Sequence, residues 1–238
     1  MYNQIKRTKL LKYIFTISSS VCLTLAITIA IILYATYDVS FYTKQFEELG
    51  ITEYVEFSTA EESIKNILKF LSHREELDRT RFNQNEFLHL QDVQNILDTA
   101  MVWGVVLFTI GVGDIIGYSL LVKTQESTTF GNVFSEHIIR VLSVCGMLIL
   151  GSLMALGISY LLFDFDHLFI WFHEVFFTDN YAFDPKKSLM KAILPDELFF
   201  AFTIRIAWIL FGSGLLLLGT KLIQTNQLYI EPPSLKAP

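Results

Sequence analysis

Cysteine is scarce in this sequence: Cys22 and Cys145 are the only two cysteines among 238 residues, and both lie inside apolar runs. Two such residues form no disulfide framework and behave as small hydrophobes. The sequence also lacks an HExxH motif and the paired-cysteine spacing of zinc sites. No metal site is therefore predicted, and a site made of histidines and aspartates is only a minor alternative.

Basic residues are in the minority, since 18 Lys and Arg stand against 24 acidic residues and the formal net charge is −6. No group of Lys and Arg alternates with aromatic residues, as on surfaces that bind nucleic acid. The sequence contains no internal repeat and no low-complexity tract. Nucleic acid is therefore not an expected partner.

Apolar residues, by contrast, make up 52% of the sequence, and Phe alone occurs 21 times. A soluble domain of this length cannot bury so much apolar surface, so part of it is expected to face lipid. Since about 20 apolar helical residues match a bilayer core, transmembrane helices are predicted at 13–36, 99–122, 138–163 and 198–223. The first run exceeds the core of a secretory signal and lacks a cleavage site, so we expect it to be retained. The predicted fold class is an all-α membrane protein.

Basic residues lie mainly on one side of these four spans, which comprises residues 1–12, 123–137 and 224–238. Counting residues just inside the span ends, that side carries Lys6, Arg7, Lys9, Lys12, Lys123, Arg140, Lys221 and Lys236. Loops rich in Lys and Arg stay in the cytoplasm. Segments 37–98 and 164–197, which hold 20 of the 24 acidic residues, are therefore predicted to be extracytoplasmic.

The first outer segment, 37–98, is long enough to form a mainly helical subdomain. In STAEESIKNILKFLSH, Ser58 and Glu61 fit a capping box, which predicts the start of a helix. The apolar stripe of this helix consists of Ile64, Ile67, Leu68 and Leu71. A second helix is predicted from near Asn85 into the second span, and the alternation in ITEYVEFS predicts a short strand before both.

The second outer segment, 164–197, begins with FDFDHLFIWFHEVFF, which is helix-like with aromatic residues on all sides. This stretch is too short to cross a bilayer but suits the membrane interface, where aromatic residues collect. Trp171 and Phe172 are therefore expected at headgroup depth. Pro185 in TDNYAFDPKKS then interrupts any helix before the fourth span.

Two outer histidines each have a carboxylate at helical spacing, since Asp92 follows His89 by three residues and Asp166 precedes His173 by seven. A carboxylate that orients an imidazole raises its basicity, as a general base requires. Two imidazoles beside lipid-facing aromatics suit acyl transfer, in which one takes a proton and the other protonates the leaving oxygen. The alternative is that both pairs are ordinary polar groups at the membrane surface.

Two ionisable residues, Asp114 and Arg205, lie within the predicted spans, and charges are costly in lipid. Arg205 lies near the outer end of the fourth span, so it either snorkels outward or binds an ester or phosphate oxygen of a substrate. For Asp114, polar partners in the helix bundle and a functional role both stay open. His73, His137 and His167 receive no role from these patterns.

The stretch FDHLFIWFHEVFFTDNYAFDPKKSLMKAILPDELFF resembles the signature of the lipoprotein intramolecular transacylases of Gram-positive bacteria, in its order FD, FH, FDP and P-acid-x-FF. NEFLHLQDVQNIL also resembles the first outer-loop motif of that family, in which a His and an Asp lie three apart before the second span. Two positions depart from the family pattern: Tyr181, where Trp is more frequent, and Ser188, where an acid is common.

The resemblance implies an enzyme that moves the acyl chain on the middle glycerol carbon of an S-diacylglyceryl cysteine to the α-amine of that cysteine. The catalytic pair would be His89 and His173. The supporting residues would be Asp92, Asp166, Asp184 and Tyr181. Arg205, Trp171 and Phe172 are the expected substrate-binding residues, because of their positions at the outer end of the fourth span and in the interfacial stretch.

The same resemblance implies no cofactor, diacylglyceryl-modified lipoproteins and membrane lipids as partners, and an active site on the outer face of the cell membrane. A second hypothesis is a non-catalytic membrane adaptor that binds a lipidated or protein partner through its outer domain. A transporter ranks last, because Asp114 and Arg205 are few polar groups for a transport path.

Overall fold

The computed structural model describes residues 2–126, 129–177 and 183–230, with side chains at 10–123, 129–177 and 183–221. Its α-helices are α1 (Tyr2–Thr36), α2 (Val39–Glu48), α3 (Phe57–Leu71), α4 (Gln84–Glu126), α5 (Phe130–Phe176), α6 (Leu189–Ile193) and α7 (Asp196–Ile230). Four stretches are long and apolar enough to cross a membrane: Leu10–Thr36, Gln84–Lys123, Phe130–Phe176 and Asp196–Lys221. The predicted all-α fold with four spans is therefore confirmed.

The chain divides into two compact units. The first combines Met1–Thr28, Gly104–Met154 and Ile209–Pro238, and the second combines Ile29–Trp103 and Ala155–Trp208. Each of the four long helices contributes residues to both units. Both histidines of the predicted catalytic pair belong to the second unit.

The first unit has a small apolar core of Leu23, Ile115, Val141 and Cys145. One close helix contact in this unit is at Gly146, where an added Cβ would lie 2.6 Å from the carbonyl oxygen of Gly214 and 2.7 Å from the backbone nitrogen of Leu218. Small residues let membrane helices approach this closely. Gly146 therefore allows α5 and α7 to pack backbone to backbone.

Asp114 has a polar partner within the first unit, because the hydroxyl of Ser18 donates a hydrogen bond of 2.6 Å to its Oδ2. Such pairing lowers the cost of a carboxyl group inside a membrane. The two cysteines are both free, and Cys145 contacts the carbonyl oxygen of Ser20 at 3.5 Å. The hydrogen bond from Ser18 therefore supports the interpretation that Asp114 has a polar partner in the helix bundle.

The second unit contains the larger core, built by α2, α3, α6 and the beginnings of α4 and α7. The predicted α3 stripe is buried at all four positions, with Ile64 and Ile67 each 1% exposed. Phe46, Phe82 and Leu198 fill the space around that stripe. The predicted helix from near Asn85 is also present, as α4 begins at Gln84.

The strand predicted in ITEYVEFS is wrong. Ile51–Glu53 forms a 3₁₀ turn, in which the carbonyl oxygen of Ile51 accepts hydrogen bonds from the backbone of Tyr54 and Val55 at 3.0 Å each. Within the described residues no strand exists to pair with this segment, so the local turn satisfies its backbone instead.

The predicted capping box at Ser58 is also wrong, because α3 already begins at Phe57 and its N-cap residue is Glu56. The hydroxyl of Ser58 donates to the Glu56 carboxylate at 2.9 Å, and Glu61 pairs with Lys65 at 2.7 Å. Both predicted capping side chains therefore have other partners.

Helix α5 is interrupted at Asp164, whose φ of 55° and ψ of 177° are not helical. Its carboxylate accepts hydrogen bonds from the backbone nitrogen of His167 at 3.0 Å and from the ring of His167 at 2.9 Å. Aspartate tolerates a positive φ better than most residues and caps helix starts well. Asp164 thus ends one helical stretch and starts the next, which carries His173.

Candidate active site

His89 and His173 come together within the second unit although they lie far apart in the sequence. Their ring centroids are 6.3 Å apart and their planes differ by 12°. Helix α4 carries His89, and the part of α5 after Asp164 carries His173. The fold therefore brings together the two side chains that the sequence analysis paired.

Four phenylalanines surround the two imidazoles, and we call them the aromatic cluster: Phe169, Phe172, Phe177 and Phe183. Phe177 contacts both histidines, with centroid distances of 4.6 Å to His89 and 5.4 Å to His173. A site lined by aromatic rings binds the apolar part of a substrate and excludes water.

A backbone carbonyl fixes the proton position on His173, which is 8% exposed. Its Nδ1 lies 2.7 Å from the carbonyl oxygen of Phe169. A carbonyl oxygen only accepts hydrogen bonds, so Nδ1 carries the hydrogen and Nε2 carries the lone pair of the neutral ring. His173 is thus held in the tautomer that a general base needs at Nε2.

His89 is held differently, by packing between the rings of Phe177 and Phe183. Its Nδ1 is buried and has no hydrogen-bond partner among the described residues. Asp92 is exposed. Among the side chains that the structure describes, it forms no hydrogen bond with His89. The orienting role predicted for Asp92 therefore stays a prediction.

The structure describes two of the three other predicted supporting residues. Asp166 is exposed, and Asp184 accepts backbone hydrogen bonds from the turn that follows it, including one of 3.0 Å from Lys186. Tyr181 lies outside the described residues. Their roles in orienting the histidines or binding an oxyanion stay predictions.

Glu86 is a residue that the sequence analysis missed, although it lies one helical turn before His89. It is 1% exposed and accepts hydrogen bonds from the backbone nitrogen of Asn83 at 2.7 Å and from the hydroxyl of Ser188 at 2.5 Å. The Asn83 side chain in turn accepts from the Glu86 backbone at 3.1 Å, which completes a capping box. The N-x-x-E spacing was visible in the sequence, but the contact with Ser188 was not.

Arg205 lies in α7 and forms an ion pair with Asp38, the N-cap residue of α2. Its guanidinium also lies 4.9 Å from the ring centroid of Phe41, and its Nη1 is buried without a hydrogen-bond partner among the described residues. The hydrogen bond from the Ser40 hydroxyl, together with Arg205, holds the pKa of the Asp38 carboxyl below its usual range. The substrate-binding role predicted for Arg205 stays a prediction.

Replacing Asp38 by asparagine should lower stability by about 1 kcal/mol at neutral pH, because asparagine keeps the helix cap but removes the charge that faces Arg205. Since folding lowers the pKa of Asp38, the wild-type advantage is complete above the ordinary pKa of an aspartate, about 3.9. That advantage is lost as the pH falls through the lowered pKa. Thermal melting of both proteins across this pH range measures the gap, and a gap that does not shrink would rule out the charge as its cause.

The predicted interfacial residues are both exposed, Trp171 by 63% and Phe172 by 44%. Phe172 also contacts His173 edge-on at a centroid distance of 5.5 Å. No group of three or more metal-ligating side chains occurs in the described part of the chain.

The sequence comparison with protein families and the structural comparison with solved proteins match the same family. The sequence model of the family described as lipoprotein intramolecular transacylase Lit matches residues 16–200. The membrane-integral lipoprotein intramolecular transacylase Lit from Bacillus cereus is similar in structure, with a TM-score of 0.76 and 19% identity over 92% of this chain and 98% of that chain. No curated protein matches the chain.

Two further structures of the Bacillus cereus protein carry one histidine replaced by arginine or by alanine. They match with TM-scores of 0.71 and 0.72, each at 16% identity over 96% of this chain, and cover 99% and 100% of the other chains. At these identities the likeness shows a shared fold.

Proposed function

The chain belongs to the lipoprotein intramolecular transacylase family, whose sequence model matches most of its length, and from this premise we propose the bond that it breaks and the bond that it forms. As a member of that family it is an acyltransferase rather than a non-catalytic adaptor. We propose that it moves the acyl chain on the middle glycerol carbon of an S-diacylglyceryl cysteine to the α-amine of the same cysteine. The product is an N-acyl, S-monoacylglyceryl lyso-lipoprotein.

The observation that carries this proposal is the pair of imidazoles inside the aromatic cluster. Acyl transfer from an ester to an amine requires a proton to leave the nitrogen and a proton to reach the glycerol oxygen. Two imidazoles, each with one nitrogen that can carry a proton and one that can accept it, meet both requirements without a cofactor. The phenylalanines around them suit the acyl chains that border the reacting ester.

We assign the general base to His173, because the Phe169 carbonyl fixes its hydrogen on Nδ1 and leaves the lone pair on Nε2. An α-amine has an ordinary pKa of about 7.7 to 8.0 and attacks as the neutral form. His173 takes the proton that the nitrogen loses as the new N–C bond forms. A backbone carbonyl here does the orienting that a carboxylate does in many hydrolases.

We assign to His89 the hydrogen bond that stabilises the oxyanion and the proton that the leaving glycerol oxygen takes up. Its ring centroid lies 6.3 Å from that of His173, so one ester headgroup is small enough to contact both residues. When the C–O bond breaks, His89 gives its proton to the glycerol oxygen, and the proton that His173 took from the amine passes to His89, which restores both residues. The overall transfer therefore consumes no external acid or base.

The nucleophile and the ester belong to one lipid-modified residue, so the site mainly has to hold the headgroup in a folded conformation. The aromatic cluster supplies a surface for this and keeps water away from the activated ester, which would otherwise be hydrolysed. We propose that the site faces the outer side of the cell membrane. Its substrates are diacylglyceryl-modified lipoproteins that reach it from the lipid phase past Trp171 and Phe172.

A host that lacks lipoprotein N-acylation tests this function. With the protein expressed, mass spectrometry of N-terminal lipopeptides should show one acyl chain on the cysteine nitrogen and one on the glycerol. A variant with both histidines replaced by alanine, matched for its amount in the membrane, should leave two chains on the glycerol. Unchanged lipopeptides in the presence of the wild-type protein would overturn the proposal.

A further inference from the structure

Glu86 joins the beginning of α4 to the residues before and within α6. One carboxylate oxygen accepts the backbone N–H of Asn83 at 2.7 Å. The other accepts the hydroxyl of Ser188 at 2.5 Å and the backbone N–H of Met190 at 3.0 Å. With 1% exposure, this carboxylate is almost fully removed from solvent and is satisfied by three neutral donors.

A second link joins the same two parts of the chain at His89. The ring of Phe183 lies edge-on against His89, with a centroid distance of 5.5 Å. Between Phe183 and Ser188 the chain makes a tight turn, in which the carbonyl oxygen of Asp184 accepts from Lys187 at 2.9 Å and from Ser188 at 3.0 Å. The two links and the turn form a closed loop of contacts.

Glu86 and His89 lie one turn apart on the same helix, α4. The hydrogen bond between Glu86 and Ser188 therefore holds the segment 183–188 against this helix, and that segment places Phe183 against His89. We propose that Glu86 is a positioning residue for the reaction, which holds the segment 183–188 so that Phe183 keeps the His89 ring in place. The assignment rests on the proposed function in one respect, that His89 is a catalytic residue. Among the described residues, the Glu86 carboxylate bonds to Asn83, Ser188 and Met190 and to neither histidine.

The variant Glu86→Gln separates this role from helix capping. Glutamine serves the capping box as well as glutamate, because one oxygen is enough for the Asn83 N–H. Its amide NH₂ then faces the N–H of Met190, and two donors do not hydrogen-bond each other, whereas the Ser188 hydroxyl can turn to accept from the NH₂. The hydrogen bond from Met190 is the one that this variant loses. The substitution therefore weakens the link to the segment 183–188 and keeps the start of α4.

Asn83→Ala is the matched control. It removes the side chain that accepts the N–H groups of Asn85 and Glu86, and it keeps the backbone N–H that donates to Glu86. It therefore destabilises the same helix end without breaking the link to Ser188. A loss of activity that follows the stability of this helix end alone should therefore appear in Asn83→Ala and spare Glu86→Gln, the reverse of what a positioning role predicts.

Steady-state transfer of a synthetic diacyl lipopeptide should show that Glu86→Gln lowers kcat by about 10- to 100-fold with little change in KM, as expected for a misplaced catalytic group. Asn83→Ala should retain nearly the wild-type kcat. Equal effects of the two variants on kcat would overturn the positioning role.

A readout that does not depend on turnover is the rate at which diethyl pyrocarbonate modifies each histidine, resolved by peptide mass spectrometry. Glu86→Gln should raise the rate at His89 several-fold, because Phe183 no longer covers the ring, and should leave the exposed His73 unchanged. If the wild-type protein transfers no acyl chain but this pattern holds, the proposed function fails and the positioning by Glu86 stands. If His89 reacts with diethyl pyrocarbonate at the same rate in Glu86→Gln and in the control Asn83→Ala, the positioning role fails regardless of activity.

Ser188→Ala tests the same link from its other side and serves if Glu86→Gln does not fold. It removes the 2.5 Å hydrogen bond to Glu86 and the cap that Ser188 provides to Lys191. Its kcat and His89 reactivity should change in the same direction as in Glu86→Gln. A wild-type kcat together with a wild-type His89 rate in Ser188→Ala would contradict the proposal.

Discussion

Replacing His173 by alanine should lower the rate of acyl transfer by about 100- to 10,000-fold, which is the usual contribution of a general base. The same substitution at His89 should have an effect in this range, since the leaving oxygen then lacks its proton donor. The two losses are not expected to add, because the residues act on one transition state. Single-turnover transfer of a diacyl lipopeptide in membranes or nanodiscs measures each rate.

His73→Ala and His167→Ala are the controls for this prediction. Each is an exposed histidine hydrogen-bonded to an aspartate, His73 to Asp98 at 2.8 Å and His167 to Asp164 at 2.9 Å. Neither is among the residues that contact the aromatic cluster, so both variants should keep nearly full activity. If all four variants lose activity equally, a general loss of folding explains the data and the proposed roles of His89 and His173 fail.

Replacing Gly146 by alanine should destabilise the protein by about 1 to 3 kcal/mol, the usual cost of overpacking. The added methyl would lie 2.6 Å from the Gly214 carbonyl oxygen and 2.7 Å from the Leu218 nitrogen, and both of these are backbone atoms. Backbone atoms of packed helices move only if the helices separate. Thermal melting in detergent should show the lowered stability directly.

Two other glycines, which are less tightly packed, serve as controls for this prediction. An added Cβ at Gly214 would meet the side chain of Leu150 at 3.1 Å, which adjusts more easily than backbone, and one at Gly151 would meet nothing within 4 Å. Melting temperatures should therefore rise in the order Gly146→Ala, Gly214→Ala, Gly151→Ala. Equal melting temperatures for the first and the last would show that α5 and α7 are not closely packed at Gly146.

Much of the fold was predictable from the sequence, because a membrane imposes a minimum length on an apolar helix. The α3 stripe was predictable for a similar reason, since Ile64, Ile67 and Leu71 repeat at the helical period. The segment ITEYVEFS was not, because alternation favours a strand only where a partner strand exists, and Ile51 instead accepts two local hydrogen bonds.

The candidate site was predictable in its two histidines but not in what holds them. Helical spacing suggested carboxylates, whereas the ring of His173 contacts the carbonyl oxygen of Phe169. No sequence pattern identifies a backbone carbonyl as a partner, since every residue has one. The hydrogen bond from Ser188 to Glu86 joins residues 102 positions apart, and such contacts follow from tertiary packing rather than from local periodicity.

A crossover experiment tests intramolecular acyl transfer most directly. Two synthetic diacyl lipopeptides with different peptide sequences, one with a deuterated chain on the middle glycerol carbon and one unlabelled, are mixed with the purified protein in nanodiscs. The account predicts that each product carries on its own cysteine nitrogen the chain that its own middle glycerol carbon held. Deuterated chains on the unlabelled peptide, transfer from the terminal glycerol carbon, or no N-acylation at all would contradict it.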